Sequence, residues 1–178
     1  MSNFLIEHQI SFHMVAILGF AYLCLKHFIL DFPAQTPYQW RNKHIYGHPG
    51  GLLHSALHVL GSFLFYLVLI GLSPIQQYPS LVAWALIGSA VFEFLIHYHC
   101  DWWKMNHCQK NKLDPKTTAM FWTVTGFDQW VHYMTYICLI WFWVDYVLFW
   151  ASFQNVTDLM IFQLEELQKS LENLYPNQ

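Results

Sequence analysis

Four pairs of potential metal ligands, each spaced i,i+4, punctuate this chain: His27/Asp31, His54/His58, His97/Asp101 and Asp128/His132. Residues four apart share a helix face, so each pair can aim two side chains at one point. Five imidazoles and three carboxylates could hold one zinc ion with ligands to spare, or a two-metal site. A catalytic zinc commonly keeps three protein ligands and one water, whose pKa falls to about 7. The same donor mixture also suits iron or manganese. Glu93 lies one turn before His97, where it could act as a general base or orient a histidine. Lys104 continues that side of the helix, and with Lys43 it could contact an anionic headgroup or phosphate. Gln35, Gln129 and Tyr98 are further polar candidates near the rim.

Other residues of the same types fit the pattern less well. His99 points roughly opposite His97 and Asp101 on a helix, which makes it a rim residue. His8, His13, His44, His48 and His107 are not expected to be ligands, and Asp145 is expected to face a headgroup or cap a partner. Cys24, Cys100, Cys108 and Cys138 match no zinc-binding Cys-x-x-Cys spacing and are read as reduced thiols.

The elements that must position these pairs are set by composition. Of 178 residues, 56% are hydrophobic, 19% aromatic and 11% charged. Soluble domains carry about 25% charged residues, so lipid is the expected solvent. Apolar stretches run over residues 10–30, 51–72, 81–98 and 130–152. Each is near the ~20 residues that cross about 30 Å of hydrocarbon. The expected fold is therefore all-α: an integral membrane four-helix bundle over residues 1–152, then an amphipathic C-terminal tail over 153–178. That tail carries Met160, Ile161, Leu164, Leu167, Leu171 and Leu174 between charged residues, and is expected to lie on the membrane or on a partner. No cleavable signal peptide is expected, because Met1 to Ser11 lacks a basic segment and precedes a full-length apolar span.

Basic residues predict the orientation. Arg41 and Lys43 fall between the first two spans, and Lys104, Lys110, Lys112 and Lys116 between the last two. By the positive-inside bias both loops face the cytoplasm and both termini face away from it. All four ligand pairs then reach one side of the bilayer. Asp31 and Asp101 are expected near helix C-termini, where a cation would relieve the unfavourable dipole, and Asp128 near a helix start, where an acid is ordinary capping. Pro33 should end the first helix just after Asp31. The loop after it, with Tyr38, Trp40 and Tyr46, should hug the headgroups, and Trp102, Trp103, Trp122 and Trp130 should mark the same interface. A faint internal repeat relates His27 and Asp31 to His97 and Asp101, offset by 70, and His54 and His58 to Asp128 and His132, offset by 74.

The run from Lys26 through His27 and Asp31 to Gln35, then Tyr46 to His54 with His58, then His97 to Lys104, then Phe127 to His132, resembles domain-of-unknown-function family 3307. The resemblance spans residues of about 20–135. It implies a small multi-helix membrane protein of bacteria or their phages, and so a bacterial inner membrane, but no established reaction. The His/Asp pattern is also similar in flavour to membrane-bound metal-dependent hydrolases. The expected function is a metal-dependent hydrolase acting on an ester, amide or phosphoester of a lipid or amphiphile. The partners expected are the bilayer and that substrate, no nucleic acid, and a second copy or other partner through the C-terminal helix. Alternatives are a di-iron oxidase or hydroxylase, a metal or solute transporter, a haem-binding protein and a membrane scaffold.

Overall fold

The computed structural model describes the backbone of residues 2–72 and 74–174, and side chains within residues 13–71, 75–151, 153–154 and 156–172. Met1, His8 and the polar start of the first helix have no described side chains, and Leu174 and the last four residues of the tail lie outside as well. The chain is all-α. Helix α1 (Ser2–Asp31) leads to a single turn, α2 (Pro37–Trp40), then α3 (Pro49–Leu72), a 3-10 turn (Pro74–Gln77), α4 (Pro79–Lys110) and α5 (Ala119–Trp141). A π-helical segment (Phe142–Leu148) then joins α5 to α6 (Phe149–Leu174).

Helices α1, α3, α4 and α5 form an antiparallel four-helix bundle in which α3 lies between α1 and α4, and α5 closes the ring between α4 and α1. All four are long and apolar enough to cross a membrane. The bundle is apolar outside and polar within. Leu60, Leu64, Leu67, Trp84 and Val91 face outward, whereas Lys26, His54, His58, Ser62, Glu93, His97, Asp101, Asp128 and His132 are buried. In water such a surface would be an aggregation liability; in lipid it is the required exterior. On α4 the buried positions Ala85, Ser89, Glu93, His97 and Asp101 recur every four residues, as one inward stripe.

That stripe changes character along the axis. At the end carrying the connections 32–48 and 111–118, here the loop end, it is ionisable; toward the other end it becomes apolar. There Leu23, Tyr66, Leu69, Tyr136, Leu139, Trp143 and Val147 form the core. Tyr66 stacks on Trp143 with ring centres 4.8 Å apart, and Trp143 Nε1 donates to Ser89 Oγ at 2.9 Å. The π segment turns Trp143, Val144, Val147 and Leu148 all inward.

Two expectations about element limits are corrected. Helix α4 continues past residue 98 to Lys110, and α5 begins at Ala119 rather than near residue 130. Asp101 therefore sits inside a helix, not at its C-terminus, and Asp128 is far from the N-cap, which is Thr118. Only Asp31 ends its helix as expected, ahead of Pro33. The C-terminal helix is continuous with the last span. Residues 142 and 149 keep right-handed helical geometry, so α5, the π segment and α6 run on without a break.

The loop after α1 is shaped by close contacts. Pro37 starts α2 inside a capping box of Thr36 and Gln39, and Gln39 is buried. Gly47 takes a positive φ of 76° and donates its N–H to the Tyr98 hydroxyl. At Gly50 a Cβ would lie 2.5 Å from the Tyr38 carbonyl oxygen, which belongs to backbone and has little room to yield. Gly50→Ala is expected to cost about 1–3 kcal/mol, as overpacking does. A thermal melt of the detergent-purified variant should show a lowered Tm, and an unchanged Tm would refute this close approach.

Candidate metal centre

One turn of each bundle helix contributes to a buried layer near the loop end. Asp31, His54, His58 and His97 form one group whose candidate ligand atoms all lie within 4.8 Å of one another. His97, Asp101 and His132 form a second, and Cys100, Asp128 and His132 a third. The first two share His97, so they are adjoining parts of one cluster on the bundle axis. Asp31 Oδ1 lies 2.9 Å from His54 Nε2 and 3.3 Å from His58 Nε2. Asp101 Oδ2 lies 3.3 Å from both His54 Nε2 and His97 Nε2. The rings of His58 and His97 are only 3.8 Å apart between centres.

The donor atoms of this cluster meet mainly one another and Lys43, and few of those contacts are aligned as hydrogen bonds. Among the described residues no aligned hydrogen bond reaches either nitrogen of His58 or His97, Nε2 of His132, Oδ1 of Asp31 or either carboxylate oxygen of Asp101. Leaving a buried polar atom unsatisfied costs roughly 1–3 kcal/mol. A chain that gathers so many in one place has a donor set that a cation would satisfy. The residues present thus fit a divalent metal.

The remaining members of the four pairs are tied elsewhere. His27 Nδ1 lies 3.0 Å from the Tyr136 hydroxyl, and its Nε2 lies 3.1 Å from both Gln129 Oε1 and Asp31 Oδ2. Both nitrogens are engaged, and His27 belongs to none of the three groups. Asp128 accepts from Lys104 Nζ at 2.8 Å, Gln129 Nε2 at 3.1 Å and Cys100 Sγ at 3.4 Å. Lys104 is therefore occupied with a carboxylate rather than open to an anion. Lys43 is also buried, 2.8 Å from Asp101 Oδ2 and 3.9 Å from Asp31 Oδ1. Gln35, in the amide orientation that satisfies its neighbours, accepts from Lys43 at 2.7 Å and donates to the Asp31 carbonyl. The loop after α1 thus lowers an ammonium and an amide onto the cluster.

Glu93 lies in a layer below the imidazoles. Its Oε1 accepts from Lys26 Nζ at 2.6 Å and from Ser62 Oγ at 2.9 Å. Lys26 also donates to the His58 carbonyl at 3.1 Å and sits over the Tyr136 ring. Glu93 Oε2, by contrast, is buried with no hydrogen-bond partner among the described residues. Sequence reasoning missed Lys26 altogether and left Cys100 out of the donor set. The signal for Lys26 was there: a lone lysine inside an apolar span demands a buried partner. His99 is exposed and pairs with Tyr46, His48 Nδ1 accepts from the Gly50 N–H, and His107 stacks on Trp103.

A cleft of ≈ 370 Å³ opens at the loop end, with Arg41, His44 and Lys112 among its walls and Trp40 and Phe121 as aromatic faces. No carboxylate lines it. No curated protein and no solved structure matches the chain. A family model does match, from the second half of α1 to the middle of α6. Over residues 19–161 the chain fits the family described as protein of unknown function (DUF3307), and it belongs to that family.

Proposed function

We propose that this membrane protein is a metal-dependent hydrolase with one divalent ion, most simply zinc, at the buried His/Asp cluster. The nitrogens of His58 and His97 carry this reading: each Nδ1 is buried without a hydrogen bond among the described residues, and each Nε2 meets only a carboxylate at 3.3 Å, out of good hydrogen-bond alignment. Asp31, His54, His58 and His97 would hold the ion, with Asp101 and His132 on its other side. Bound there, a divalent ion supplies Lewis acidity and activates water near neutral pH. Charge supports a single ion. Asp31, Asp101 and Asp128 face Lys43 and Lys104, which leaves one negative charge with the imidazoles neutral. One divalent ion turns that into a net positive site, suited to an anionic substrate.

The chain's own groups have distinct tasks in this scheme. His27, fixed by Tyr136 and Gln129, orients Asp31. Lys104 holds Asp128, and Asp128 through its backbone carbonyl holds His132, whose Nδ1 lies 2.7 Å from that oxygen. The basic, aromatic-walled cleft supports an anionic amphiphile whose headgroup enters from the loop end. In this reading Arg41, His44 and Lys112 make the contact first assigned to Lys43 and Lys104, and the loop end is cytoplasmic. A transporter is the less favoured reading, because Leu23, Tyr66 and Trp143 fill the axis below Glu93. Elemental analysis of the detergent-purified full chain, beside a folded His58→Ala/Asp101→Ala variant, tests the centre. About one zinc per chain, lost in the variant, is expected. A folded wild type that takes up no metal on reconstitution would remove the enzyme reading. Stoichiometric iron would shift it to oxidase chemistry.

A further inference from the structure

The last turns of the long C-terminal helix carry an apolar stripe that nothing in the bundle covers. The Tyr78 hydroxyl donates to Asp158 at 3.0 Å, tying α6 to the turn after α3. From Asp158 to Glu172 every side chain is exposed. Yet Phe153, Val156, Met160, Leu164, Leu167 and Leu171 recur at spacings of three and four, and each is about half exposed or more. At 100° per residue they fall within about 80° of arc. Asp158, Glu165, Lys169 and Glu172 cluster on the opposite face, with exposed Phe162 among them and Glu166 beside them. Gln163, Gln168 and Ser170, which flank the stripe, are uncharged.

We propose that this stripe pairs in parallel with the same stripe of a second copy, forming a short coiled coil beyond the bilayer. The leucine run Leu164, Leu167, Leu171 fills successive a and d positions, and the flanking e and g positions hold no charge that would repel an identical helix. Orientation follows from the fold. Because α6 continues a membrane span, two copies in one membrane send their helices out side by side in the same direction. Anchoring also raises their effective concentration, which offsets the shortness of the seam. Lipid is a poorer occupant. The helix leaves the bundle as an unbroken continuation of a span, and the charges on its polar face are mainly acidic, the wrong sign for anionic headgroups.

Disulfide trapping in native membranes tests the pairing with the full chain. Leu167→Cys should cross-link to a dimer at least ~10-fold more readily than Lys169→Cys, since d positions face each other and f positions do not. The wild type reports any background from Cys24, Cys100, Cys108 and Cys138. In detergent, light scattering should give two chains for the wild type and one for Leu164→Glu/Leu171→Glu, with helicity and metal content unchanged. Equal trapping at both positions, or a single-chain mass for the wild type, would overturn the proposal. So would a lipid-like emission shift from a fluorophore on the L167C variant without cross-linking. Neither measurement depends on the metal reading, so the two can fail separately.

Discussion

His97→Ala is expected to abolish tight metal binding, while His27→Ala should only weaken it. His97 is the one residue shared by the Asp31/His54/His58 group and the Asp101/His132 group, and both its nitrogens are buried without hydrogen bonds. Its loss removes the hinge between two halves of the donor set. His27 is as deeply buried, but Tyr136, Gln129 and Asp31 already engage both its nitrogens. Its contribution is to orient Asp31, and losing an orienting partner costs ~10–100-fold in affinity. Competition against a chromogenic zinc chelator, run on folded detergent-purified variants, separates the two. His97→Ala should lose well over that range and His27→Ala should stay inside it. Equal losses would mean that His27 is a ligand after all, and that its hydrogen bonds are exchanged when the ion enters.

The same contrast marks what could be read from the sequence. Spacing of four puts two side chains on one face, and solvent-facing apolar residues identify the helices as spans, so the all-α bundle and the convergence of its pairs were legible. Rotation about the helix axis was not. Whether His27 meets an ion or Tyr136 depends on a residue more than a hundred positions away in sequence, and no local pattern encodes that. Helix limits failed for a related reason. An apolar run reports where lipid ends, not where the helix ends, so α4 runs on to Lys110 through residues that hydropathy discounts. Lys43 and Lys104 looked open to an anion because the carboxylates that hold them are distant in sequence. The fold brings them to Asp101 and Asp128 from other elements.

Lys26→Met and Glu93→Ala should each destabilise the protein strongly, and a double Lys26→Met/Glu93→Leu variant should recover much of the loss. The pair is 2.6 Å apart with both side chains almost wholly buried. Removing one partner leaves an uncompensated charge in a low-dielectric interior, a change that costs about 3–5 kcal/mol. Removing both leaves shape but no charge, and such replacements are often neutral or better. Thermal unfolding in detergent should therefore rank the wild type and the double variant close together and both single variants far below. The double variant also decides what Glu93 is for. If the pair only braces α1, α3 and α4 beneath the imidazoles, the variant binds metal normally and any hydrolytic turnover survives. If Glu93 serves as a base despite its ion pair, the variant folds and binds metal but turnover falls by the ~10²–10⁴-fold that proton transfer supplies. Lys26 and Ser62 hold Oε1 and so tie Glu93 to α1 and α3, while Oε2 has no hydrogen-bond partner among the described residues, and the double variant separates the bracing role from the base role.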